Sequence, residues 1–196
     1  EAGTGFEASD SSVSVFEQLA ASRTKVEKRY HAHKFIAYFQ NYTNTFLPLD
    51  RLLGYMEEAS KVEDIVEISI STRPDCIRQD YLDEFSSRTG IEVSIELGLQ
   101  TVNYHTLMEM NRGHGLAEFI DAVLRIAPYH FPVCVHMILN LPGDTMDDAE
   151  ESARILSTLP ISMVKLHSLY IPKKCELYDK YIRGEIEICP KEEYLN

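Results

Sequence analysis

No two of the four cysteines lie close together: Cys76, Cys134, Cys175 and Cys189 form no C-x-x-C pair. Their spacing excludes a zinc ribbon or a local iron–sulfur motif within these residues. It fits reduced thiols in a cytosolic, cytoplasmic protein. Positive charge is also scarce, with 19 Lys and Arg against 31 Asp and Glu and a net charge of −12. This excludes a generally nucleic-acid-binding surface, though not a local basic groove. The densest basic run, Arg23 to Lys34, is interrupted by Glu27 and reads as a solvated helix end. His31 and His33 within it read as surface residues. No apolar run approaches the ~20 residues of a membrane-spanning helix. No basic-then-apolar signal segment opens the chain, and no Asn-Gly hairpin joins neighbouring strand-like runs.

The 196 residues, 44% of them hydrophobic, suffice for one sizeable core. The chain opens in a Gly/Ser/Asp-rich stretch, EAGTGFEASDSS, which reads as the middle of a loop and so as part of a longer protein. Five runs read as strands: Lys34–Gln40, Asp64–Thr72, Ile91–Leu99, Val133–Leu139 and Ser162–Tyr170. Helical patterns lie around and between them at Ser12–Arg29, Asp50–Lys61, Asp80–Arg88, Leu116–Ala127 and Thr145–Thr158. Asp50 is placed as an N-cap. Thr145 and Asp148 resemble a capping box. In the fourth helix, Phe119, Ile120, Val123, Leu124 and Ala127 follow the spacing of a buried helical face.

Strand starts recur about every 30 residues, the length of a parallel βαβ unit. Alternating β and α segments predict an α/β fold with a parallel sheet. A closed eightfold barrel takes ~250 residues, so five units predict a partial βα barrel. The regular pattern fades after Pro172. Residues 1–172 are therefore read as the barrel core and residues 173–196 as the start of a C-terminal extension.

Successive side chains on a strand point to opposite faces. In VSIELGLQT, Val93, Ile95, Leu97 and Leu99 share one face, and Ser94, Glu96, Gly98 and Gln100 the other. The second run sets Val66, Ile68 and Ile70 against Glu67, Ser69, Ser71 and Arg73. The fourth sets Val133, Val135, Met137 and Leu139 against Cys134, His136, Ile138 and Asn140. The fifth sets Val164, Leu166 and Ser168 against Met163, Lys165, His167 and Leu169. Apolar faces suit covering helices. The polar faces imply either an internal salt-bridge layer, such as Glu67 or Glu96 with Lys165, or a polar cavity for a ligand; the two are compatible.

Parallel sheets bind ligands at the carboxyl ends of their strands. There the sequence places QNYTN (Gln40–Asn44), STRPD (Ser71–Asp75), Gln100-Thr101 and NLPGD (Asn140–Asp144). Pro74 holds Arg73 extended. Pro142-Gly143 marks a turn that bares backbone polar groups.

IELGLQTVNYHTLMEMNRGHG (Ile95–Gly115) resembles the fourth-strand signature of radical S-adenosylmethionine (radical SAM) proteins. VCVHMILNLPGDT (Val133–Thr145) resembles their fifth-strand motif. The likeness is to the branch with the elongator catalytic subunit and oxygen-independent coproporphyrinogen oxidase. KFIAYFQNYTNT (Lys34–Thr45) and ISISTRPDC (Ile68–Cys76) narrow it to a bacterial family without an assigned substrate.

The resemblance implies a three-quarter barrel of six βα units, of which this chain carries strands two to six. It implies a 4Fe–4S cluster whose three-cysteine motif would precede Glu1, so that this fragment alone is inactive. It implies reductive cleavage of S-adenosylmethionine to a 5′-deoxyadenosyl radical acting on an unknown substrate, tRNA or a small molecule. An electron donor such as flavodoxin or ferredoxin follows, with no membrane role. Gln40 and Thr43 are implied near the methionyl part of the cofactor. Ser71, Arg73 and Gln100 are implied near its ribose and carboxylate, and Asn140 near adenine. Glu96 and His136, with Lys165 and His167, share the cavity. Arg112 and His114 either join the site or fix a helix start. Two other readings stay open: an aldolase- or isomerase-like barrel with a Lys165 amine, and a non-catalytic binding scaffold.

Overall fold

The computed structural model describes residues 12–40, 42–88 and 90–194. The segment expected to follow a cluster loop (1–11) and Asn41 lie outside the described residues. Five parallel strands form one curled sheet in the order β1-β2-β3-β4-β5. They are β1 (Phe35–Phe39), β2 (Ile65–Thr72), β3 (Glu92–Gln100), β4 (Val133–Leu139) and β5 (Met163–Ser168). All four pairings are parallel, so each strand reaches the next by a crossover. The expected α/β partial barrel is the observed fold.

Helices α1 (Val15–Tyr30), α2 (Leu49–Ser60), α3 (Gln79–Ser87), α4 (Tyr104–Glu109), α5 (Leu116–Ile126) and α6 (Met146–Leu156) occupy the crossovers and the N-terminal approach. Two short helices follow, α7 (Glu176–Ile182) and α8 (Lys191–Tyr194). The core lies on the face read as apolar. Ile68 and Ile70 of β2 pack with Leu52 and Met56 of α2 and Phe85 of α3. Ile95, Leu97, Val133 and Val135 pack with Phe119, Val123 and Ile126 of α5. Each such side chain gains about 1.5–3 kcal/mol from burial, so these rows fix which face of the sheet is left for chemistry.

Local signals set the helix starts. Ser14 accepts from the Glu17 amide, and Glu17 accepts from the Ser14 amide, a reciprocal cap on α1. At α6 the expected Thr145–Asp148 pair forms, with the Thr145 amide donating to Asp148 at 2.7 Å. At α2 the expectation fails: Pro48 is the N-cap and Asp50 lies inside the first turn. A proline needs no amide partner there, and a carboxylate in the first turn favours the helix dipole instead.

Four apolar assignments also fail. Leu124 is 56% exposed, while Ile126 takes the core position. Val66 is exposed at a register shift that skips it, since Phe35 pairs with Ile65 and Ile36 with Glu67. On the outward face of β5, Val164 and Leu166 are exposed and line an open groove with Ala149, Ala153 and Leu156 of α6.

Candidate functional site

The face away from the helices carries the polar residues of all five strands. Glu96 is its centre and is 5% exposed. Its Oε1 accepts from Lys165 Nζ at 2.5 Å and from Ser69 Oγ at 3.1 Å. Its Oε2 lies 2.5 Å from His136 Nε2. The Tyr38 hydroxyl bonds the same carboxylate and also meets Ser71. Burial pushes the Glu96 carboxyl up, but the bonds from His136, Lys165 and Tyr38 outweigh it and hold the group at about 2. Burial and the Glu96 charge drive the Tyr38 phenol up. The Lys165 ammonium also lies over the Tyr38 ring, 4.8 Å from its centroid.

Thus Glu96, not Glu67, forms the internal ion pair with Lys165. Glu67 accepts from the Ser94 hydroxyl one layer deeper. An amine held on Glu96 lacks the apolar pocket that would free it as a Schiff-base nucleophile. Glu96, Cys134 and His136 bring ligand-type atoms within 4.8 Å of one another. A metal there would meet the Lys165 ammonium already seated on Glu96. Burial and the Glu96 charge also push the Cys134 thiol up, which keeps it protonated and a poor ligand.

At the carboxyl edge the backbone leaves regular geometry. Tyr42, Gln100 and Asn140 adopt φ of 61°, 77° and 59°. For residues with a Cβ this left-handed region is costly, and it concentrates where side chains must be aimed. Gln100 sits in a bulge: Gly98 pairs with His136, yet Gln100 pairs with Met137. Gly98 leaves a notch that the Gln100 amide enters. A Cβ there would lie 2.8 Å from Gln100 Nε2 and 3.4 Å from Arg112 Nη2. An amide and a guanidinium therefore converge on a space that any side chain would fill.

The sequence-predicted residues separate into three groups. Glu96, His136 and Ser71 share the polar face. Gln100 and Asn140 share a pocket of about 260 Å³ with Thr101, Asp144 and Thr145. Thr43 and Arg73 line another, of about 540 Å³, with Tyr42, Phe46, Asp75 and Cys76. Gln40 is exposed and lines neither pocket. Arg73 forks onto Asp75 at 2.9 and 2.7 Å. His31 and His33 are exposed, as expected.

Other residues also build the rim. Asn44 donates to the carbonyls of Phe39 and Ser71 at 2.6 and 2.8 Å, tying the ends of β1 and β2. Thr106 donates to Asp144 at 2.6 Å and anchors the NLPGD turn to α4. Burial pushes the Asp144 carboxyl up despite that bond. Helix α4 itself has only Asn103 as its sequence mark, a cap on the amides of His105 and Thr106. His114 is buried with Nε2 3.0 Å from the Gly98 carbonyl. Burial and Arg112 push its imidazole down. It braces the strand under the notch and does not start α5, whose N-cap is Gly115.

Residues 23–156 match the Radical SAM superfamily. The Bacillus subtilis (strain 168) protein YtqA is 32% identical over 99% of this chain and 61% of its own length. The solved structure of Methanocaldococcus infernus Elp3, with an N-terminal deletion, superposes with a TM-score of 0.77 at 20% identity, over 91% of this chain and 47% of that one. Escherichia coli coproporphyrinogen III oxidase (HemN), described as a radical SAM enzyme, superposes at 0.65 and 17% identity, over 92% of this chain and 42% of that one. The chain spans 53–61% of the length of the curated relatives that are 32–33% identical to it. With the superfamily match covering most of the sheet and its rim, this chain belongs to the Radical SAM superfamily.

Proposed function

We propose that this chain is the S-adenosylmethionine-holding part of a radical SAM enzyme with an as yet unidentified substrate. The observation that carries the reading is the Gly98 notch, flanked by Gln100 and Arg112 at the carboxyl edge of a radical SAM sheet. A zwitterionic, nucleoside-bearing ligand fits donors of that kind. When bound at a reduced 4Fe–4S cluster, S-adenosylmethionine supplies a 5′-deoxyadenosyl radical. The protein's task is to place it and to exclude quenching reactions.

In this reading the Gln100 side chain, aimed by its bulge, holds polar groups of the ribose and carboxylate. Arg112 balances the carboxylate charge across the notch. Asn140 and the Leu141–Pro142 backbone face the base, and Thr43 with Arg73 borders the methionyl side. Arg73 reaches a ligand only by loosening its fork on Asp75. Ser71, Glu96 and His136 form the polar floor toward the substrate.

Among the described residues the cysteines do not converge, and the sole group of metal-type ligands contains one thiol. These residues do not fit a three-thiolate cluster site, and the proposal assigns its ligands to other parts of the protein. An electron donor of the flavodoxin or ferredoxin type and a tRNA or small-molecule substrate complete the proposal.

The test is electron paramagnetic resonance of the reduced, cluster-loaded full-length protein. Adding S-adenosylmethionine changes the cluster signal if the reading holds. An unchanged signal at saturating cofactor contradicts it.

A further inference from the structure

The hydrogen bonds on the polar face run in one direction. Glu96, held ionised, accepts from His136 Nε2, so that nitrogen carries the hydrogen. In a neutral His136 the Nδ1 then offers a lone pair, and His167 Nε2 lies 2.8 Å from it. The two rings are within 7° of coplanar with centroids 5.0 Å apart. The ring radii added to the nitrogen–nitrogen gap nearly reproduce that separation. The rings therefore meet edge to edge, as an in-plane N–H···N bond requires, and not face to face. His167 is consequently the donor to His136. Its own Nδ1 is left as a lone pair with no hydrogen bond among the described residues, on an exposed side chain at the edge of the sheet.

We propose that His167 is an acid/base site, oriented by His136 and Glu96, for a substrate with a weakly acidic O–H, N–H or activated C–H on the concave face. One proton leaves the substrate for His167 Nδ1. The Nε2 proton of His167 moves to His136 Nδ1, and the resulting imidazolium rests on the Glu96 carboxylate. No electron is transferred, and the reverse sequence returns the proton. His136 and Glu96 are positioning residues in this arrangement.

The groups facing His167 are Glu96 from β3, Cys134 and His136 from β4, Lys165 from β5 and, beyond Lys165, Tyr38 from β1. Burial, His136 and Lys165 push its imidazole down, and Glu96 opposes them. His167 is thus neutral at neutral pH and available as a base. The inference rests on the concave face being the substrate side of the proposed enzyme. Its test needs neither cofactor nor cluster, so the two readings fail separately.

The experiment is long-range proton–nitrogen correlation NMR of the 196-residue chain labelled with ¹⁵N-histidine, from pH 5 to 8. His136→Asn and His167→Asn assign the signals. At pH 7 the hydrogen of each histidine is expected on Nε2. On acidification their signals move together, with one proton entering the pair. Glu96→Gln lowers that midpoint, because the carboxylate no longer supports the imidazolium. Acetyl transfer from 4-nitrophenyl acetate reports the open nitrogen directly: acetyl passes to His167 Nδ1 and nitrophenolate leaves. Its rate should follow the NMR midpoint, and His167→Asn should remove that component. An Nδ1–H tautomer for His136, independent titration of the two rings, or an acetyl-transfer rate indifferent to His167→Asn would overturn the proposal.

Discussion

Lys165 Nζ lies 2.5 Å from Glu96 Oε1, although their strands are separated by β4 and their positions by 69 residues of sequence. The ion pair closes the middle of the polar face, and His136 completes it from the intervening strand. A carboxylate buried this deeply is tolerated because Lys165, His136 and Ser69 all hydrogen-bond it.

The first prediction concerns acid stability. The folded Glu96 carboxyl sits at about 2 against an ordinary 4.5. The unfolded chain therefore binds the proton first. The contribution of Glu96 is fully present above 4.5 and is lost as pH falls toward 2. Its size is on the order of 3 kcal/mol. Urea unfolding between pH 7 and 3 measures it. Glu96→Gln should cost about 2 kcal/mol at pH 7 and flatten the slope below pH 4.5.

A second window comes from buried His114, whose imidazole is pushed below its ordinary 6.5. Here too the unfolded state takes up the proton more readily. Stability is present above 6.5 and declines as pH falls below it. His114→Gln should reduce the slope of unfolding free energy between pH 7 and 5. An unchanged slope would contradict the buried neutral ring.

Two glycines should respond in opposite senses. Gly113 has φ 72°, and a Cβ there would lie 2.8 Å from the Arg73 guanidinium. Gly113→Ala should destabilise by about 1–2 kcal/mol. Gly54 lies inside α2 with nothing within 4 Å of a new Cβ. Gly54→Ala should stabilise by about 1 kcal/mol. Denaturant midpoints of the two variants decide both.

Asn44 holds two strand ends through two carbonyls, and its side chain is buried. Asn44→Ala should leave both acceptors unpaired and cost about 2–3 kcal/mol, read from urea unfolding. Faster hydrogen exchange confined to the ends of β1 and β2 should accompany it.

Alternation made the sheet legible in the sequence. Val133–Leu139 is β4 to the residue, and the split of VSIELGLQT into an apolar and a polar face is the split in the structure. What alternation could not supply was cross-strand register. Glu67 and Glu96 share a parity on their strands, and only the pairing of β3, β4 and β5 sends Lys165 to Glu96. The bulge at Gln100 was hidden for a related reason, since a glutamine carries no local preference for positive φ. Helix α4 is six residues long, too short for a periodic signal. The bare face of β5 was misread because periodicity reports which side is apolar, not whether anything covers it.

The most direct measurement of the central claim is the yield of 5′-deoxyadenosine from S-adenosylmethionine by the full-length protein, cluster-loaded and reduced, beside its Gly98→Val variant. The variant fills the notch and displaces the Gln100 amide, which lies 2.8 Å from the new Cβ. The account predicts cleavage by the parent protein and at least a tenfold loss in the variant at equal cluster content, while this 196-residue chain alone gives none. A fully loaded parent that produces no 5′-deoxyadenosine, or a variant that matches it, would contradict the account.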